Sequence, residues 1–161
     1  MLSFKQFLKE SLDNPYDITS HTSGKTRTGT YHTFHFRDHK DRNHTISITR
    51  RNKSNDAEVV FFDHNLGMHK SGNAGHHAIK IFSTVKHAMD KFSNHEDGHG
   101  LENFRFDSSK ELDKNALGRK KQYREGSRSK LYRKMTERAG GHSVEGEKST
   151  THFIPVNRDK K

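Results

Sequence analysis

Hydrophobic positions along the chain switch between two periods. Residues 45–50 (TISITR) alternate Ile46 and Ile48 with polar neighbours, the pattern of a strand with one face buried. Residues 30–36 (TYHTFHF) alternate too, with Tyr31 set against Phe34 and Phe36 only after a slip of phase. Residues 57–64 (AEVVFFDH) are a continuous apolar run, which suits a central strand buried on both faces. The polar links RDHKDRNH and RNKSND read as hairpin turns, so an antiparallel meander is predicted here. Upstream, the Ser-, Thr- and Gly-rich residues 16–28 read as loop or an edge segment.

The period then lengthens. In AIKIFSTVKHAMDKF (78–92), Ala78, Phe82, Val85, Met89 and Phe92 share one helical face. ENFRF (102–106) returns to strand spacing through Phe104 and Phe106. SRSKLYRKMTERAGG (127–141) is helical again, with Leu131, Met135 and Ala139 on one stripe. HSVEGE and THFIPV supply one or two last strands. The predicted order is β-β-β-α-β-α-β, an α/β (α+β) fold with a central, mostly antiparallel mixed sheet and two main helices. One domain over 28–156 is expected, with a basic insert at 108–126 and a tail at 157–161. A separate amphipathic helix is predicted over residues 1–14, bearing Phe4, Phe7, Leu8 and Leu12 on one face and ending before Pro15.

Composition limits the core. Leu, Ile, Val and Phe make up about a fifth of the 161 residues, near the level where disorder competes with folding. The formal net charge is +10, and the 14 histidines add more below about pH 6.5. Such a charge favours polyanions without specifying which. Zero cysteines exclude disulfides and thiolate metal sites. No apolar run approaches the length of a membrane span, and the start MLSFKQFLKES is too short and polar for a secretory signal.

Three features could carry chemistry. The first is the loop HKSGNAG (69–75), set between the predicted central strand and the long helix. Backbone N–H groups and the helix dipole favour a phosphate at such a place, although Gly, Asn and Ser are also ordinary turn residues. The second is the basic stripe of residues 110–138, which includes Arg119, Lys120, Lys121, Arg124, Arg128 and Lys130, with Tyr123 and Tyr132 among them. It reads either as a solvated face or as a non-specific, salt-dependent nucleic-acid surface. The third is the set of histidine pairs His32/His35, His35/His39, His64/His69, His76/His77 and His95/His99. His32 and His35 point to opposite faces of a strand, Gly98 interrupts the last pair, and so many histidines produce pairs by chance. No metal site is expected.

The element order, the loop and the pair Leu131-Tyr132 together resemble the GNAT (N-acetyltransferase) superfamily. The resemblance implies acetyl-CoA as cofactor, its pyrophosphate held by His69, Lys70, Gly72, Asn73, Ala74 and Gly75. Gly72 and Ala74 match the family's glycine pattern, and His69 stands where the family has Gln or Arg. It further implies Tyr132 as the acid for the departing thiolate. Glu58 and Asp63, on or ending the central strand, are candidate bases by position alone. The sequence departs from the family in leaving no room between residues 30 and 60 for the helices that shape the acceptor pocket.

The start of the chain resembles the capsid-targeting peptides of T-even-type tailed phages, which a prohead protease clips after a hydrophobic-x-Glu pattern. Leu8-Lys9-Glu10 matches that pattern. The block Ser127-Arg128-Ser129-Lys130-Leu131-Tyr132 resembles a motif in small tailed-phage proteins. The resemblance implies a phage accessory or virion-associated protein, in the host cytoplasm or the virion interior, whose residues 1–12 meet the capsid or its protease. An active acetyltransferase and a non-specific DNA-binding protein are the alternative readings.

Overall fold

The computed structural model describes residues 14–63, 67–68, 76–112 and 123–156. The chain divides into two compact units, Met1–Leu101 and Glu102–Lys161.

The first unit is an antiparallel meander followed by a helix. Its strands are β1 (Ile18–Lys25), β2 (Gly29–Arg37), β3 (Asn43–Arg51), β4 (Asp56–Asp63) and the short β5 (Gly67–Met68), each paired antiparallel with the one before. β1 is the edge, and most of its side chains are exposed, so its backbone ladder to β2 carries the pairing. The inward face of β2 is His32, Phe34 and Phe36, all buried, while Tyr31 is exposed. The alternation is therefore regular: the slip expected from Tyr31 disappears once a histidine is allowed a core position. β3 repeats this with His44, Ile46 and Ile48 buried. In β4, Ala57 and Val59 are buried and Glu58 is exposed, while Val60, Phe61 and Phe62 are half-buried, so the burial on both faces expected of this strand is incomplete.

Helix α1 (His76–Ser93) covers this core with Phe82, Met89 and Phe92, the predicted face, and adds Ile79, Ile81 and Ala88. Burying an apolar side chain of this size contributes roughly 1.5–3 kcal/mol. α1 leads into a 3₁₀ turn at Glu96–Gly98. Arg50 of β3 fixes that turn, donating from Nη1 to the carbonyls of Asp97 (2.8 Å) and His99 (2.6 Å) and from Nε to Ser54 (2.9 Å). A Cβ at Gly98 would collide with the Phe92 carbonyl oxygen, which is why glycine stands there.

The second unit holds β6 (Asn103–Ser109), β7 (Glu111–Leu112), β8 (Tyr123–Arg124), helix α2 (Ser127–Arg138), β9 (His142–Glu145) and β10 (Ser149–Pro155). β10 lies between β6 and β9, antiparallel to both, and β7 pairs with β8. α2 packs on β6, β9 and β10. It buries Ser129, Met135 and Thr136, whereas Leu131 and Ala139 are only half-buried. The helix is thus rotated from the expected Leu131–Met135–Ala139 stripe, with Ser129 hydrogen-bonded inside to Ser108 and Glu125. The helix stops in a Schellman motif: the Gly140 amide donates to Glu137 (3.0 Å), the Gly141 amide to Thr136 (2.9 Å), and Gly140 has φ +81°. Among the described residues, each unit combines antiparallel strands with one α-helix, so the class is α+β.

Candidate functional site

In the first unit, β2 alternation places the His32 imidazole inside, where it is fully buried and meets the Phe92 ring edge-on at 4.8 Å. Its Nε2 lies 2.8 Å from Asp97 Oδ2. A carboxylate only accepts, so His32 carries its proton on Nε2. On the other side, His32 Nδ1 is 2.9 Å from Nε2 of His21, which β1 brings alongside through the Ser23–His32 register. His95 completes the group. Its Nδ1 accepts the Asp97 backbone N–H at 3.1 Å, capping the 3₁₀ turn, and lies 3.3 Å from Asp97 Oδ2. His32, His95 and Asp97 each offer one ligand atom, and these three atoms lie within 4.8 Å of one another, a spacing that could hold a metal ion.

The hydrogen bond from His32 holds the Asp97 carboxyl below the usual carboxylate range, against the effect of burial. Burial, and then His32, His95 and Lys91, push His21 down, so its ring is neutral at pH 7. His21 also lines an open groove of about 500 Å³ with Pro15, Tyr16, His87 and Lys91. The group therefore runs from a solvent-facing groove to a buried imidazole and a partly buried carboxylate.

Nearby in the chain, the β2–β3 turn has its own buried carboxylate. Burial alone would raise Asp38, yet bonds from His44 Nε2 (2.8 Å), Arg42 Nε (2.7 Å) and the amides of Lys40 and Arg42 hold it far below its ordinary value. Every donor there serves the turn, and Asp41 in it takes a left-handed φ of 58°. Its role is structural.

The second unit contains a chain of polar side chains around the fully buried His152. Ser143 Oγ is 2.7 Å from His152 Nδ1, and His152 Nε2 is 2.8 Å from Ser108 Oγ. Ser108 donates to Ser129 (3.0 Å), and Ser129 donates to Glu125 Oε1 (3.1 Å). The direction fixes the tautomer: Ser108 spends its proton on Ser129, so it accepts from His152 Nε2–H, and Nδ1 accepts from Ser143. Nε2 thus already bears a proton and cannot serve as base toward Ser108. Burial, then Arg133, lowers His152 to about 4, so it is neutral at pH 7. Burial would raise Glu125, but bonds from Arg133 and Ser129 overcome it and hold the carboxyl below its usual range.

The expected site residues divide as follows. Tyr132 is half-buried in the second unit, with ring edges toward Phe106 (5.7 Å) and His152 (6.2 Å). Glu58 is exposed on β4 of the first unit. The proposed cofactor residues His69–Gly75, the processing residues Leu8 and Glu10, and Arg119, Lys120 and Lys121 lie outside the described residues. Arg124 and Lys130 are exposed, whereas Arg133 within the basic stripe is tied to Glu125 and Glu145 at 3.0 Å each.

Among the described residues, the pairs through His35 have other partners, and the pair His64/His69 lies outside the described residues. His35 meets Thr45, and His39 meets Tyr16. The group at His32 draws instead on residues up to 74 positions apart, from His21 to His95. Its one signal in the sequence is the phase of His32 with Phe34 and Phe36. Comparison of the chain with protein families, curated proteins and solved structures finds no match.

Proposed function

We propose that this chain is an accessory, virion-associated protein of a tailed phage, built on a GNAT-like scaffold that works by binding and not by acetyl transfer. The single observation that supports the scaffold best is the second unit's order of strand, helix and hairpin, with the last strand β10 seated between β6 and β9. A meander and a long helix precede it in the chain, as the family resemblance implies. The loss of transfer chemistry is supported by the two groups proposed for it. Tyr132 is packed edge-on against the stacked pair Phe106 and His152, and Glu58 is a surface residue of a strand. The N-terminal Leu8-Lys9-Glu10 motif directs the chain to the capsid, and the exposed Arg124 and Lys130 belong to a basic surface that contacts packaged DNA without sequence preference.

Mass spectrometry of purified virions tests this. The expected result is the chain in the particle with a mature terminus at Ser11; its absence from virions contradicts the proposal. Calorimetric titration with acetyl-CoA, using Gly72→Glu as control, decides the transfer question. No binding at millimolar cofactor is expected. Binding that Gly72→Glu abolishes would replace this reading with an active N-acetyltransferase. Among the described residues, no helix is long and apolar enough to cross a membrane.

A further inference from the structure

We propose that His32, His95 and Asp97 bind one divalent transition-metal ion of the zinc type, with His21 as the hydrogen-bonding partner behind His32. This inference is independent of the phage reading and rests on the geometry of the first unit.

The strongest observation is a conflict at His95. Its Nδ1 accepts the Asp97 amide proton, so the lone pair there is unprotonated. The same nitrogen sits 3.3 Å from Asp97 Oδ2, which is also only an acceptor. Two acceptors facing each other at this distance repel unless something positive lies between them. Either a proton on Nδ1 or a metal ion relieves this repulsion at the cost of the cap, but only a metal ion also engages the third donor, His32. A metal ion satisfies both lone pairs at once, and the 3.1 Å amide contact is the one it supplants.

The third donor is already aimed at the same place. His32 Nε2 is 2.8 Å from Oδ2, and one ligand atom from each of the three residues falls within 4.8 Å of the others. Tetrahedral zinc, with bonds of about 2.0–2.1 Å, spaces its donors by roughly 3.3 Å. The Oδ2–Nδ1 distance already fits, and the Oδ2–Nε2 distance must open by about half an ångström. Two imidazoles and one carboxylate are a donor set that suits zinc and its spectroscopic stand-in cobalt. His32 is held by burial, and Asp97 by the Arg50 clamp on the turn. His95 is partly exposed, so ion and water reach the site from its side.

The protons balance without an external base. In the metal-free state Nε2–H of His32 faces Asp97, and His21 Nε2–H faces His32 Nδ1. On metal binding, His32 frees Nε2 and carries its proton on Nδ1, donating to His21 Nε2. His21, reached by solvent, takes its own proton on Nδ1. Both rings change tautomer and neither changes charge. A ligating histidine that donates its other N–H in this way is the usual arrangement, and losing such a partner costs about 10–100-fold in affinity.

The test uses the full chain, stripped with chelator and titrated with Co²⁺ alone, followed by Zn²⁺ displacement. The expected result is one equivalent of Co²⁺ with visible d–d bands that zinc abolishes. His95→Asn keeps a capping side chain at the turn but removes the imidazole, and Asp97→Asn removes the carboxylate. Each should weaken binding by about 100-fold or more, and His21→Ala by about tenfold. His142→Asn, an exposed histidine of the second unit, should change nothing. Thermal unfolding in chelator establishes that each variant is folded, and His95→Asn carries the test if Asp97→Asn is not. Weak binding spread over several equivalents, or affinity unchanged in a folded His95→Asn, overturns the proposal.

Discussion

Two fully buried histidines, His32 on β2 and His152 on β10, occupy equivalent kinds of position and have opposite surroundings. Each lies in the inward register of a strand, between residues that pack the core. His152 meets hydroxyls on both nitrogens and belongs to a one-way chain of donors that ends at Glu125. Every proton in that chain is assigned, and the ring is fixed as a neutral Nε2–H tautomer. His32 meets a carboxylate on one side and an imidazole on the other, and the carboxylate also faces a second imidazole lone pair. A network satisfied by protons alone is structural. A network with one proton too few has room for a cation.

The largest effect that would break this contrast is removal of His152. His152→Ala leaves Ser108 and Ser143 without their ring partner and opens a cavity, costing about 3–5 kcal/mol in urea denaturation. A cost near zero would show that the chain of serines is not held by the ring.

The next effect is pH. The folded pKa of His152 is lowered to about 4, whereas the unfolded ring titrates near 6.5. The unfolded state therefore takes up the proton first, and stability falls as pH drops from about 6.5 to about 4. The loss approaches about 3 kcal/mol. His152→Gln should flatten that slope. Asp38, Asp97 and Glu125 have lowered folded values, so their contributions are present above the ordinary carboxylate range and vanish only as pH falls below it. Denaturant midpoints across pH 3–8 separate the two windows.

A smaller effect is expected on the other side of the comparison. Asp97→Asn without metal replaces a hydrogen bond to a charged group with a neutral one, a loss of about 1.5–3 kcal/mol at most. It should also abolish any rise in melting temperature on adding zinc. The smallest effect is at the surface. Lys130→Ala should leave stability within about 0.5 kcal/mol, while the salt slope of DNA binding becomes shallower. An unchanged slope would remove Lys130 from the DNA surface.

Much of the fold can be read from the sequence, and the reason is periodicity. The spacing at 78–92 predicts a helix that the structure places at His76–Ser93, and Ile46 and Ile48 locate β3. β1 is read only as loop or an edge segment because an exposed edge strand needs no apolar alternation; its ladder is made by backbone groups that every residue has. The phase of β2 is misread because Tyr31 is taken as core and His32 as polar. The same cause hides the candidate site. His32, His44 and His152 each alternate with apolar residues, Phe34 and Phe36, Ile46 and Ile48, or Ile154. A histidine in core register must have a buried polar partner, but the sequence does not say which one. Asp97 and His95 reach His32 only through the turn after α1 and the Arg50 clamp, and no local spacing encodes that meeting.

The contrast between the two buried histidines is tested most directly by long-range ¹H–¹⁵N NMR of the imidazole nitrogens before and after an equimolar amount of Zn²⁺. Shifts at His32 Nε2 and His95 Nδ1, with His152 remaining an unmoved Nε2–H tautomer, are predicted. Unmoved signals at His32 and His95, or a response centred on His152 or on exposed histidines, would contradict it.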